Sequence, residues 1–430
     1  MLRTIAKEDV RLGMYIHRLE GPWFKHPFWR KSFLLTDPDD LAVIQAGEFT
    51  GVVIDDSKSL VPPGEMDAPQ PVPAGKAEPA ERAAAAEGEQ PAPIERARAG
   101  RTAKPQLQPR LTAAEEIDRA AAVASRATRS VAQLLADARL GRAVDIARVI
   151  PVVEDIAASV DRNPSALISI TRMRTKDEYT YCHSVAVCAL MVNLARQLGF
   201  AEPQAREAGL AGLLHDFGKV SVPENLLTKP GALSEIEFGL VRQHVERGYT
   251  LLKANNYPEA VADAALHHHE RVDGSGYPHG LKGERISQLA RMVAVCDVYD
   301  AITSRRPYRE PAAPAESLAS MYRWEGQFDP EILAAFIHSL GIYPVGSLVR
   351  LKSNRLALVI DQTEGDTMRP LVRVFYCIAS RRRVPATDLD LSVGDQDAIV
   401  SREDPVKWGF TNWETQWTNV IRNAPTASAA

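Results

Sequence analysis

Three consecutive histidines, His267, His268 and His269, run into Glu270 and then a glycine-rich turn, Asp273-Gly274-Ser275-Gly276-Tyr277-Pro278. Core packing seldom calls for three adjacent imidazoles. Upstream lies a second dense stretch, His215-Asp216-Phe217-Gly218-Lys219, and seven of the ten histidines fall between positions 183 and 279. Taken singly, each part has a bland reading: a His-Asp pair is most often a local hydrogen bond, and a lone helical histidine such as His244 is most often a satisfied residue. The conjunction points elsewhere. Imidazole is the commonest side-chain ligand for first-row transition metals, and carboxylates complete such shells. Asp297 ends the apolar run Met292-Val293-Ala294-Val295-Cys296, where burying an unpaired carboxylate is costly, and a cation would offset that cost. A carboxylate such as Asp216 has two oxygens and can bridge two metals.

The surrounding pattern is helical. Ser234 to Glu237 is a capping box that opens a helix carrying His244. Pro258 sits where a first-turn proline belongs, opening a helix that ends in the three histidines. His183 lies inside a helix beginning near Lys176, and His215 and Asp216 lie at the end of the next one. An all-α domain of seven or so helices is expected over 164–344. Before it, Thr112 and Glu115 form a capping box for a helix ending near Ala138, with Gly141 as its stop, and a second helix covers 144–160. These connecting helices occupy 111–163.

Residues 1–60 read as a small α/β unit, with strands at Met14-Tyr15-Ile16 and 49–55 and a helix opened by Asp37-Pro38. Its aromatic, basic patch at 23–29 reads first as a packed loop and second as a partner surface. Residues 61–110 are Pro, Ala, Glu and Gln with almost no large apolar side chains. They cannot bury enough surface to offset ordering entropy, so a disordered linker is expected. After Pro344 the period changes to two, which predicts a hairpin about Ser353-Asn354, a strand over 370–377 and a small β-rich appendage over 345–395. A tail, 396–430, carries Trp408, Trp413 and Trp417. The fold expected is therefore mainly α, with a helical domain carrying the histidines between a small α/β domain and a β-rich appendage.

At 430 residues the chain suits two to four domains. A net charge of −4 gives no general attraction to nucleic acid. Four cysteines make neither a disulfide framework nor a zinc pattern and read as buried thiols in a reducing cytoplasm. The first residues lack the apolar core of a signal peptide, and no apolar run is long enough to span a membrane.

Residues 165–345 resemble the HD-GYP family, a branch of the HD-domain metal-dependent phosphohydrolases. The likeness rests on His215-Asp216-Phe217-Gly218-Lys219, on His268-His269-Glu270 with Asp273-Gly274-Ser275-Gly276-Tyr277-Pro278, and on Asp297-Val298-Tyr299-Asp300-Ala301-Ile302-Thr303. The first sixty residues are similar to a small regulatory domain often found before it. The resemblance implies hydrolysis of cyclic di-GMP, a bacterial second messenger, to linear pGpG, with GMP left open as a further product. It implies iron or manganese as the metal, and His183, His215, Asp216, His244, His268, His269 and Asp297 as ligands. It assigns a catalytic role to Asp216 and Lys219, nucleotide contacts to Lys219, Arg306 and Arg309, and partner contacts to the Gly276-Tyr277-Pro278 loop. Some members place a glutamate four residues before the first histidine and hold three metals. Here that residue is Tyr179, so two divalent ions are expected. Arg305 stands where the family usually has aspartate. A signalling-protein partner and a homodimer complete the expectation. The competing readings are a sensor or scaffold with little catalysis, and an HD hydrolase acting on another nucleotide.

Overall fold

An apolar run, Val52-Val53-Ile54, supplies the middle of the N-terminal unit. In the computed structural model the chain divides into two units, Met1–Leu107 and Gln108–Ala430. The structure describes residues 2–20, 33–36, 38–46, 51–59, 111–172, 179–229, 231, 233–304, 311–363, 365–394, 397–411, 413 and 417. The patch at 23–29, the linker, Arg305, Arg306, Arg309 and the end of the tail lie outside these. The first unit is an antiparallel sheet of β1 (Leu2–Ile5), β2 (Tyr15–Glu20), β3 (Phe33–Leu34) and β4 (Gly51–Asp55), in the order β1-β4-β2-β3, with helix α1 (Pro38–Ala46). Because β4 has a strand on each side, its apolar run is buried with Val10, Ile16, Leu35 and Ile44.

The second unit opens with α2 (Ala113–Arg139) and α3 (Ile146–Arg162). The Thr112/Glu115 capping box forms as expected, and Gly141, at φ +73°, ends the turn after α2. A buried Glu116 receives both Nε and Nη2 of Arg162 and the Ser159 hydroxyl, which staples α2 to α3. Then come α4 (Pro164–Arg172), α5 (Tyr179–Gln197), α6 (Glu202–Leu214), α7 (Glu224–Leu227), α8 (Glu235–Arg242), α9 (His244–Ala254), α10 (Glu259–His267), α11 (Gln288–Thr303), α12 (Pro314–Arg323) and α13 (Pro330–Leu340).

Helix α5 is the axis of this body. From Val185 to Val192 every side chain is buried, so it is apolar all round rather than striped. Its approach to α6 is set by glycine. A Cβ at Gly209 would fall 2.7 Å from Val192 Cγ2, and one at Gly212 would fall 2.9 Å from the Val187 carbonyl.

Three sequence expectations need correcting here. The region holds ten described helices rather than about seven, because the chain breaks repeatedly around the histidines. The helix opened by Ser234 stops at Arg242, and His244 begins the next one after a turn at Gln243. The backbone of Gly218 packs against the His244 carbonyl at this break. Pro258 is the cap of α10 rather than its first residue.

The C-terminal sheet comprises β5 (Leu348–Leu351), β6 (Arg355–Thr363), β7 (Asp366–Cys377), β8 (Arg382–Asp390) and β9 (Ile399–Arg402), in the order β8-β7-β6-β5-β9. It therefore takes in a strand past residue 395. Asn354, at φ 63°, makes the tight β5–β6 turn. The sheet is tied to the helices: Asp361 accepts hydrogen bonds from the Ala113 amide and Asn163 Nδ2, each at 3.1 Å. Trp417 is buried against Ile117, Val345 and Val349, and Trp413 donates its indole N–H to the Gly346 carbonyl at 2.8 Å.

Candidate metal centre

Three of the predicted ligands owe their aim to helix ends. The last carbonyls of a helix lack intrahelical donors. His215 caps α6, His268 caps α10, and His244 follows the last turn of α8. Each ring bonds through Nδ1 to the carbonyl three residues back: Gly212 at 2.8 Å, Ala265 at 2.9 Å and Val241 at 2.7 Å. A carbonyl can only accept, so Nδ1 carries the proton and the Nε2 lone pair faces inward. The three helix C-termini also bring partial negative charge, which favours a cation.

His183 is held differently. It comes from α5, and its Nδ1 lies 2.7 Å from Asp300 Oδ2, whose other oxygen accepts the Ser304 hydroxyl at 2.9 Å. Its Nε2 lies 3.1 Å from Asp297 Oδ1. Asp297 and Asp300 are one turn apart on α11, so both carboxylates face the same way.

Asp216 is the centre of the arrangement. Its Oδ1 lies 3.3 Å from His244 Nε2 and 3.8 Å from His268 Nε2. Its Oδ2 lies 3.3 Å from His215 Nε2 and 3.7 Å from His183 Nε2. The residues thus form two sets, Asp216 with His244, His268 and His269, and His183 with His215 and Asp297. Within each set the donor atoms lie within 4.8 Å of one another. All seven expected ligands converge. Lys219 Nζ pairs with Asp216 Oδ2 from the open side, with its side chain 29% exposed.

Whether a cation suits this donor set is testable on the structure itself. His215 Nε2, His244 Nε2, His268 Nε2 and Asp216 Oδ1 are all buried and lack a hydrogen-bond partner. Leaving four such atoms unsatisfied is expensive. Imidazole nitrogen with carboxylate oxygen is a donor set that divalent first-row metals accept. Two of the rings agree in protonation state, while His215 is raised, burial being outweighed by the adjacent Asp216 carboxylate, whose pull a bound cation would replace. Burial holds the His269 pKa down to about 3, with His244 adding to the effect, and burial likewise pushes His268 well down. Both rings are therefore neutral at pH 7. Burial would raise Asp216, but Lys219 and His215 outweigh it and hold the carboxyl well below its usual range. Asp297 is lowered in the same way, burial being outweighed by His183 and His215.

The glycine-rich turn walls one side. Gly276 lies so close to Glu270 and Arg271 that a Cβ would fall 2.4 Å from the Arg271 nitrogen and the Glu270 Cα. The buried Glu270 carboxylate accepts the His279 amide at 2.7 Å and the Leu281 amide at 3.1 Å, which clamps the loop from beneath. Tyr277 consequently lies beside His269, ring centres 4.9 Å apart. His267, the first of the three, points away and pairs with Asp263 and His279. Sequence reasoning missed Asp300 and Glu270 as supports. The Asp297-x-x-Asp300 spacing on a helix was the available signal for the first. Nothing local marked the second, whose partners are backbone amides across a turn. Asp300→Asn is expected to lower metal affinity by about 10- to 100-fold while leaving His183 in place. Titration of metal-free protein with Mn2+ checks it, and an unchanged affinity would remove Asp300 from the site.

Residues 151–332 match the HD domain family, and residues 2–149 match a domain of unknown function, DUF3391. The fold and site thus define an HD-domain phosphohydrolase. A cyclic di-GMP phosphodiesterase of Pseudomonas aeruginosa is 45% identical over 98% of this chain and 97% of its own. A cyclic di-GMP phosphodiesterase response regulator of Xanthomonas campestris is 45% identical over 34% of this chain and 39% of its own. A 3′3′-cGAMP-specific phosphodiesterase of Vibrio cholerae is 39% identical over 34% of this chain and 33% of its own. The chain belongs to the HD-GYP family. Among the described residues no helix is long and apolar enough to cross a membrane.

Proposed function

We infer that this chain is a metal-dependent phosphodiesterase that opens cyclic di-GMP to linear pGpG, with GMP as the product if both esters are cut. The observation that carries the reading is the shared Asp216 carboxylate, its two oxygens facing two sets of imidazoles, with the buried Nε2 atoms of His215, His244 and His268 lacking a hydrogen-bond partner. Two cations, iron or manganese, are assigned to those sets. His244, His268 and His269 would hold one, His183, His215 and Asp297 would hold the other, and Asp216 would be shared between them. When bound, such ions lower the pKa of a water toward neutrality and draw charge from phosphoryl oxygens.

The protein's own part is positioning and charge balance. Lys219 is anchored by Asp216 yet partly exposed, so it can turn an N–H toward an equatorial phosphoryl oxygen. The family resemblance assigns Arg306 and Arg309 to the nucleotide. The Gly276-Tyr277-Pro278 loop closes one wall and is assigned a contact with a signalling protein. The same reading includes a homodimer and a cytoplasmic location. No protein nucleophile is required.

A second reading, hydrolysis of another cyclic dinucleotide, is favoured by the Vibrio relative's stated specificity. Full-length protein loaded with Mn2+ or Fe2+ is expected to cleave cyclic di-GMP faster than 3′3′-cGAMP. A reversed order supports the second reading. Binding without cleavage under either metal supports the sensor reading.

A further inference from the structure

A cyclic dinucleotide carries two phosphates, and only one can occupy the metal centre at a time. The other brings a full negative charge into a site whose described cations are few. Lys219 is already committed to Asp216. Arg242, the last residue of α8, is differently placed. Its guanidinium lies 4.3 Å from the ring centre of Tyr277 and 5.8 Å from that of Phe238, and Tyr277 in turn flanks His269. No carboxylate lies within ion-pair distance of it among the described residues. The α8 chain turns at Gln243 directly into His244, so the backbone that fixes a proposed metal ligand also fixes this arginine.

Stacking on an aromatic face uses the plane of a guanidinium and leaves its in-plane N–H groups free. Those groups form a planar fork suited to two phosphate oxygens at once. The ring of Tyr277 contacts both Arg242 and the proposed ligand His269, with 4.3 Å from the guanidinium to its centre and 4.9 Å between the two ring centres. A cation held there is one aromatic side chain removed from the metal centre, close enough for a second phosphate of the same small ligand to meet it.

We propose that Arg242 binds the phosphate that is not being cleaved and so selects substrates with two phosphodiesters. This rests on the phosphodiesterase reading above and adds a residue that neither the motifs nor the resemblance assigned. Arg242 is here a binding residue; it is given no part in breaking the ester.

The test compares two substrates on full-length, Mn2+-loaded protein: cyclic di-GMP, and bis(p-nitrophenyl) phosphate, which has a single phosphodiester. Arg242→Gln is expected to raise KM for cyclic di-GMP by about tenfold to a hundredfold, the range for losing a charge-assisted hydrogen bond. The kcat for cyclic di-GMP, and kcat/KM for bis(p-nitrophenyl) phosphate, should stay within a few-fold of wild type. Arg242→Lys, which keeps the charge and loses the fork, should recover part of the affinity. Equal losses on both substrates would show that Arg242 merely supports the loop and would overturn the proposal, as would an unchanged KM for cyclic di-GMP. If Arg242→Gln fails to hold metal, the Lys variant decides by the same two-substrate ratio. A wild type that cleaves the single diester but leaves cyclic di-GMP intact contradicts the functional reading itself, an outcome distinct from any result that concerns Arg242 alone.

Discussion

Asp216→Ala is expected to reduce cyclic di-GMP turnover by about a thousandfold or more, which corresponds to about 4 kcal/mol of barrier, while the helical fold survives. The size of the effect follows from sharing. Removing His183 or His244 would cost one set of donors a ligand, whereas Asp216 faces both, through different oxygens. Its loss leaves each set one donor short and leaves Lys219 without its anchor. The fold should persist because the apolar core does not depend on this carboxylate. The α5–α6 contact at Gly209 and Gly212, the Glu116–Arg162 staple and the Asp361 tie to the sheet all lie elsewhere. Circular dichroism and metal analysis on the same sample separate the two effects. Turnover within tenfold of wild type would exclude Asp216 as the bridge.

Gly218→Ala is expected to destabilise the protein by about 3 kcal/mol or more, at the upper end for overpacking, and to abolish metal retention. A Cβ there would fall 1.9 Å from the His244 carbonyl and 2.5 Å from the Gly248 nitrogen. Both are backbone atoms, so no rotamer change can relieve the clash. The chain would have to separate the Asp216 turn from α9, moving Asp216 away from His244. Gly239→Ala, on the exposed face of α8, is the matching control. No atom lies within 4 Å of its added methyl, so it should stabilise by about 0.5–1 kcal/mol through helix propensity. Chemical denaturation of the two variants checks the contrast. A Gly218→Ala protein as stable as Gly239→Ala would contradict the packing at the break between α8 and α9.

The candidate metal centre was legible in sequence because the residues proposed to line it are types with few other uses at such density. His215-Asp216 and His268-His269 mark two strands of the argument, and Asp297 stands out against its apolar neighbours. What holds them was less legible. The carbonyls that orient His215, His244 and His268 are backbone groups, which carry no residue signature. The requirement for glycine at 218 is a tertiary contact with α9, invisible to local pattern. The break before His244 escaped the periodicity because Gln243 and His244 are both acceptable in a helix interior. Likewise, β9 lies beyond a short polar stretch, and its alternation over four residues is too brief to distinguish from loop.

Arg242 shows the limit from the other side. On sequence it is one more basic residue near a helix end, where the dipole alone would account for it. Its placement over Tyr277 emerges only when the loop from Gly276 to Pro278 is folded back by Glu270.

The most direct measurement is the metal content of full-length protein purified without oxygen, taken together with product identification on cyclic di-GMP. Two divalent ions per chain are expected, with both lost in Asp216→Ala and with pGpG appearing only in the loaded wild type. Undiminished cleavage by metal-free protein, or an Asp216→Ala variant that keeps both ions, would contradict the bridged centre.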